Sequence, residues 1–453
     1  MNSGNLVTMN NTLLRNAILI NQGESRECDV LIRQGRIESI GPGISPPANT
    51  REFDLAGDYL LPGMIDDQVH FREPGMEHKG TIATESRAAV AGGITSYMEM
   101  PNCNPLTINT GTLLNKHERA ARGSHANYAF YLGATNNNLE DIKTIDQSMT
   151  CGVKIFMGAS TGDMLVDNRD TLEGIFSSTS LLIATHCEDT PTILKNEALW
   201  KERFGDNIPF REHPNIRSED ACFLSSSLAV DLARRHGSRL HILHLTTEKE
   251  MQHFSSGDAS TKRITAEACV HHLFFNETQY DEKGADIKCN PAIKKVSDQL
   301  ALRAAINSDL IDVIATDHAP HTRAEKARDY NSAPAGLPLV QHALLMLMDM
   351  VNDGVFTIEK MVEKTAHTPA VLFNVKDRGY VREGYWADLV VMSKSKQTIV
   401  DESEIYSKCG WSPFSGHTFS SRVLQTFVNG RLKYDRGEFP DDTPGVALEF
   451  LRG

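Results

Sequence analysis

No stretch of this chain stays apolar for the roughly 20 residues that a bilayer-spanning helix requires, and its opening residues contain neither a basic n-region nor a small-residue cleavage site. A cytoplasmic location is therefore expected. Positive charge is in deficit: 46 Lys and Arg stand against 59 Asp and Glu, for a formal net charge of −13. That balance offers no broad basic surface to a phosphate backbone or an anionic membrane, so neither nucleic acid nor membrane is an expected partner. Cysteine is sparse and unpatterned. The eight residues, Cys28, Cys103, Cys151, Cys187, Cys222, Cys269, Cys289 and Cys409, form no CxxC pair. At this length they read as core residues in a reducing compartment and exclude a disulfide framework. Tandem repeats, low-complexity tracts and long linkers are also missing.

What is present is enough apolar material for a large core. Of 453 residues 40% are hydrophobic, and a barrel needs roughly 250 residues, which leaves a second, smaller unit. Residues 12 to about 60 read as short strands and hairpins (AILINQGES, CDVLIRQGRIESIG, REFDLAGDYLLPG) broken by turn signals. From about 61 to 370, apolar strand-like runs alternate with helical stretches. The runs are LLPGMIDDQVHF, GITSYMEM, NYAFYLGAT, GVKIFMGAS, LLIATHCED, RLHILHLTT, RITAEACVHHLFF and DVIATDHAP. After about 378 the pattern returns to β, with WADLVVMS and VLQTFVNGRLKY. The expected fold is α/β: a (β/α)8 TIM-type barrel over 61–375, with a small composite β domain formed by both termini, 1–60 and 376–453. An open doubly wound sheet would alternate in the same way.

The strand-like runs end in polar residues. In a strand, residues two apart share a face, so Gln68, His70 and Arg72 of DDQVHFREPG are expected to project together. Inside a barrel this is costly unless the groups hold a metal or a ligand, because an unpaired buried polar group costs roughly 1 to 3 kcal/mol. Lys154, His186, His244 and Asp317 end four further runs, and a barrel gathers all of them at one mouth. Imidazole nitrogen and carboxylate oxygen are donors that a divalent ion such as zinc accepts. A single buried His is more often a hydrogen-bonded core residue; here the convergence of several strand ends favours a site. His241, three residues before His244, is expected to face the helices instead. Lys154 sits in an apolar strand where desolvation lowers an ammonium pKa toward the neutral amine. Such an amine reacts with carbon dioxide to give an anionic carbamate able to bridge two ions. Asp317 can both bind an ion and shuttle a proton in amide hydrolysis. The polar stretch from His321 to Gly336 has no long apolar period and is expected to be a mobile lid that closes over ligand at the mouth.

The motifs VHFREPG, MPNCNP, KIFMGAS, ITAEACVHH, KCNPAIK and ATDHAPHTRAEK, in this order over residues 62 to 340, resemble those of the dihydroorotase family of the amidohydrolase superfamily. RGYVREGYWADLVV and VNGRLKYDRGEF are similar to the strands that close that superfamily's β domain. The resemblance implies a cytoplasmic, metal-dependent enzyme of pyrimidine biosynthesis that interconverts L-dihydroorotate and N-carbamoyl-L-aspartate. It implies zinc, one or two ions per chain, with His70 as a ligand from the first strand and Lys154 as the carboxylated bridge. His186 and His244 would bind the second ion, Asp317 would be ligand and catalytic acid/base, and Arg72, Asn102, Asn290 and His321 would bind substrate. A homo-oligomer is expected, and an enzyme of the same pathway as partner is compatible with the family. Gln68 stands where the family carries the first His of His-x-His, and an amide oxygen is a weaker zinc ligand than imidazole. Dihydropyrimidinase or hydantoinase, allantoinase, and a catalytically inactive dihydroorotase-like scaffold remain as alternatives. The first two kinds of enzyme act on rings lacking the carboxylate that Arg72 and His321 would meet.

Overall fold

The computed structural model describes residues 11–158 and 164–452. The first ten residues, the last, and the end of the GVKIFMGAS run from residue 159 lie outside the described residues.

Alternating apolar and polar residues make Thr12–Asn21, Glu24–Arg33 and Arg36–Gly41 successive antiparallel strands. Their sheet continues from Thr12–Asn21 through Tyr59–Pro62 to Leu389–Ser393, Arg422–Val428 and Arg431–Asp435. One sheet is therefore built from both ends of the chain. Leu14, Ala17 and Val30 from the first part pack with Leu389, Val391 and Phe427 from the second. Neither part could bury these faces alone. The parts also meet at Gly35 (φ +80), where an added Cβ would lie 2.8 Å from the Asn429 carbonyl oxygen. Both the backbone conformation and the space demand glycine.

The barrel strands are Met64–Val69, Ile94–Glu99, Asn127–Phe130 continued by Leu132–Gly133, Val153–Phe156, Ile183–His186, Leu240–Ile242, Ile264–Cys269 and Val313–Ala315. Neighbours pair in parallel in chain order. The ring closes between the first and eighth strands through the Val69–His318 bridge and a 2.7 Å bond from the His70 amide to the His318 carbonyl. The buried Asp66 carboxylate reinforces this seam, accepting from the Thr316 amide at 3.1 Å and the Thr316 hydroxyl at 2.6 Å. The helices between strands carry their own stop signals. Glu219–His236 starts at Ser218, whose side chain accepts from the Ala221 amide. It ends in Arg234, Arg235 and His236 before Gly237 at φ +66, with cations on the negative end of the helix.

Part of the C-terminal region leaves the sheet. Trp411 reaches over the barrel mouth and donates from Nε1 to the His321 carbonyl at 2.7 Å. Ala447 bridges to Tyr128 of the third barrel strand. The stretch after His321 holds a Thr322-capped helical turn, Arg323–Lys326. It is tied down by two buried lysines. Lys326 donates to the carbonyls of Lys288, Pro334 and Gly336, and Lys288 to those of Tyr330 and Ala333. All eight cysteines are free thiols. Among the described residues no helix is long and apolar enough to cross a membrane.

Candidate active site

Gln68, His70, Arg72, Asn102, Lys154, His186, His244, Asn290, Asp317 and His321 all line one cavity of about 510 Å3 at the C-terminal ends of the barrel strands. Barrel enzymes place their chemistry at this end, because each strand-to-helix loop delivers one side chain to a common centre. Face-sharing within a strand is not what brings the first three together. The first strand ends at Val69, and Arg72 lies beyond it in the left-handed region (φ +72). His244 (φ +39) and Asp317 (φ +49) likewise follow the ends of their strands in left-handed conformations. Each such non-glycine conformation costs on the order of 1 to 3 kcal/mol and is found where function requires an unusual direction.

The tautomer of His70 follows from its neighbours. Asn102 Oδ1 lies 2.7 Å from His70 Nδ1 and accepts its proton, leaving the Nε2 lone pair facing Asp317 Oδ1 at 3.1 Å. His186 Nδ1 and His244 Nε2 face each other at 3.0 Å. Burial lowers the pKa of His70, with Asp317 opposing, and lowers that of His186; it holds His244 well below the usual range, helped by His186 and Lys154. All three are neutral imidazoles with lone pairs to offer. Lys154 Nζ is fully buried and has no hydrogen-bond partner among the described residues; it lies 4.6 Å from the centre of the Phe156 ring, and burial lowers its pKa to about 8. Ring nitrogens facing each other or a carboxylate across about 3 Å, beside an amine that readily becomes neutral, fit a divalent cation. Two nitrogens on one tetrahedral zinc lie about 3.3 Å apart. His70 and Asp317 would hold one ion, His186 and His244 another, with Lys154 between them.

Gln68 is buried, and its amide Nε2 donates to the same Asp317 Oδ1 at 3.1 Å. Its Oε1 faces away, 3.8 Å from the Cys269 thiol. The amide oxygen is therefore not aimed between His70 and Asp317, and the first ion position has fewer donors than the second. Gln68→His is expected to tighten the weaker ion. In a titration with a mild chelator, two metal-loss steps in the natural protein should draw together in the variant. Release of two ions with one indistinguishable affinity from the natural protein would refute the asymmetry.

Several residues of the site were not singled out from the sequence. Glu188 Oε2 lies 3.0 Å from His186 Nε2 and 2.5 Å from Arg217. Burial acts to raise its carboxyl, but Arg217 and His186 outweigh this and hold it near 2. A fixed anion on the rear nitrogen of a ligand imidazole sets its orientation and basicity. Glu188 follows His186 by two residues in ATHCED, so its signal was there; Arg217 comes from the bend before the helix Glu219–His236, 29 residues away. Lys79 donates to His321 Nδ1 at 3.0 Å, while His321 Nε2 lies 3.0 Å from the Ala335 carbonyl and 3.1 Å from Arg72 Nη2. Burial, with Arg72 and Lys79 adding to it, pushes the His321 pKa far down and keeps the ring neutral. His241 departs from expectation. It points into the barrel rather than toward the helices, because the sixth strand stops at Ile242 and the left-handed turn at His244 breaks the alternation.

The amidohydrolase family model matches residues 59–433. The chain is 32% identical over 431 residues to a dihydroorotase of Halobacterium salinarum, covering 93% of this chain and 96% of that protein. It is 30% identical to an allantoinase of Bacillus velezensis, covering 94% of each. Its fold is similar to that of an L-hydantoinase (dihydropyrimidinase) from Arthrobacter aurescens, with a TM-score of 0.92 at 24% identity over 97% of this chain and 100% of that one. A parallel barrel beside a sheet built from both termini, a mouth lined by histidines, a lysine and an aspartate, and a match over most of the chain place this protein in the amidohydrolase family of hydrolases.

Proposed function

We propose that this chain is a dihydroorotase, opening the ring of L-dihydroorotate to N-carbamoyl-L-aspartate reversibly, as a zinc-dependent enzyme of pyrimidine biosynthesis. The observation that carries this reading is Arg72. Its guanidinium is buried in the cavity wall and remains a cation, although burial lowers its pKa to about 10. It donates from Nε to the Pro320 carbonyl at 3.1 Å, and among the described residues no carboxylate lies within ion-pair distance of it. A desolvated cation without an anion is costly, and a ring carboxylate presented to its planar fork supplies the missing charge. Hydantoin, dihydrouracil and allantoin have no such group.

Zinc bound by these residues would supply Lewis acidity toward the ring carbonyl. The remaining work falls to the side chains. Asp317 lines the cavity 3.1 Å from His70 Nε2, where its carboxylate takes the proton of the attacking water and returns one to the departing nitrogen. Asn290 Oδ1 is buried and, among the described residues, has no partner, ready to accept a ring N–H. His321, neutral and fixed by Lys79, orients the carboxylate beside Arg72. Purified protein assayed against L-dihydroorotate, dihydrouracil, hydantoin and allantoin, with its metal content measured in the same preparation, tests the reading. A preference for dihydroorotate is expected. A preference for an uncharged ring would overturn the assignment, and no turnover by metal-loaded protein would favour the scaffold reading.

A further inference from the structure

Beneath the mouth, inside the barrel, Asp67 of the first strand, His241 of the sixth and Glu267 of the seventh converge, each with no exposed surface. One ligand atom from each lies within 4.8 Å of the other two. His241 Nε2 is 3.2 Å from Asp67 Oδ2 and 3.9 Å from Glu267 Oε2. The shorter of these distances is within hydrogen-bond range, yet among the described residues Asp67 Oδ1 and Oδ2, Glu267 Oε2 and His241 Nε2 all lack a hydrogen-bond partner. The atoms stand side by side around a common point instead of donating to one another. The far side of the imidazole explains which form it takes. Thr265 Oγ1 donates to the Leu240 carbonyl at 3.2 Å and so accepts from His241 Nδ1 at 2.8 Å. With its proton on Nδ1, the neutral ring turns the Nε2 lone pair toward the two carboxylates. Glu267 is also committed elsewhere: its Oε1 accepts from the His244 amide at 2.9 Å and from the Cys269 thiol at 3.2 Å, which leaves Oε2 for the cluster.

With both acids ionised beside the neutral imidazole, the cluster would carry a charge of −2 in a dry interior, where an uncompensated ion costs several kcal/mol. Either two protons or one divalent cation balances it. We propose that Asp67, His241 and Glu267 form a structural divalent-cation site within the barrel, separate from the catalytic mouth and suited to zinc. One imidazole nitrogen with carboxylate oxygens is a donor set of borderline character, and spacings of 3.2 and 3.9 Å bracket the roughly 3.3 to 3.6 Å edge of a tetrahedral shell with bonds of about 2.0 to 2.2 Å. The second oxygen of Asp67 can complete it, since both its oxygens are unpartnered. Such an ion enters during folding and does not exchange with solvent afterwards. Through Glu267 it also fixes the left-handed turn that aims His244 at the mouth.

The test counts zinc per chain in the full-length protein. After exhaustive dialysis of the native protein against a strong chelator, about one ion should remain, to be released only when guanidinium unfolds the chain. His186→Ala combined with His244→Ala should leave that resistant ion in place, and the isosteric pair Asp67→Asn with Glu267→Gln should remove it. Should the isosteric pair fail to fold, anomalous scattering at the zinc edge from wild-type crystals decides, with a peak expected among Asp67, His241 and Glu267. Absence of a chelator-resistant ion, its persistence in folded Asp67→Asn/Glu267→Gln protein, or no anomalous peak at the cluster overturns the proposal and assigns the two charges to protons.

Discussion

Arg72→Met is expected to lower kcat/KM for L-dihydroorotate by about 30-fold to several thousand-fold while leaving the bound metal unchanged. Truncating one member of a buried charge pair costs about 2 to 5 kcal/mol, and each 1.36 kcal/mol is tenfold in rate. The metal is spared because Arg72 touches none of the groups assigned to the ions; its bonds run to Pro320 and His321. Arg72→Lys should recover only part of the loss, since an ammonium cannot reproduce the bidentate fork. Residual activity on dihydrouracil should be unaffected or higher in the methionine variant, because the uncompensated cation is gone. Steady-state kinetics on both substrates, with metal analysis of the same samples, checks this. Wild-type turnover of dihydroorotate by Arg72→Met would remove the basis for the proposed substrate.

Lys154→Met is expected to abolish the site by another route, with loss of bound zinc and a fall in turnover on the order of 1000-fold or more, the several kcal/mol a metal contributes to polarising a carbonyl. The same residue predicts a pH dependence in the metal-free protein. Burial lowers the folded pKa to about 8, against about 10.4 in an unfolded chain. Between these values the unfolded chain binds the extra proton, so stability conferred at this position rises with pH across that window and is lowest below it, where the buried amine must be charged. Chemical denaturation of stripped wild type and Lys154→Met at pH 7.5 and 10 should show wild type gaining relative to the variant at the higher pH. Uptake of labelled carbon dioxide should rise through the same titration, since only the neutral amine reacts; each carbamate formed releases one proton. Equal pH responses of the two proteins, or a carbamate signal that survives Lys154→Met, would contradict the role given to this side chain.

The outline of the fold and the membership of the cavity were legible in the sequence for one reason: both depend on local pattern. Apolar runs of strand length alternating with helical stretches dictate a parallel α/β ring, and residues at the ends of such runs must meet wherever the ring closes. His70, Lys154, His186, His244 and Asp317 could thus be gathered without coordinates, and Gln68 could be marked as the odd donor among them. Local pattern reaches no further than the strand itself. Period-two alternation assigned His241 to the outside and placed Arg72 on the face of His70, but the strands end at Ile242 and Val69. Beyond those points, left-handed turns decide where side chains go, and a propensity argument does not foresee a conformation that tertiary contacts impose at a cost. The pairing of Arg217 with Glu188, the hold of Lys79 on His321, and the turning of the Gln68 amide oxygen away from Asp317 are also set by packing between distant segments. The meeting of Asp67, His241 and Glu267 is the clearest case. Each lies in an ordinary apolar run, and only closure of the barrel puts three unpartnered ligand atoms into the same dry space.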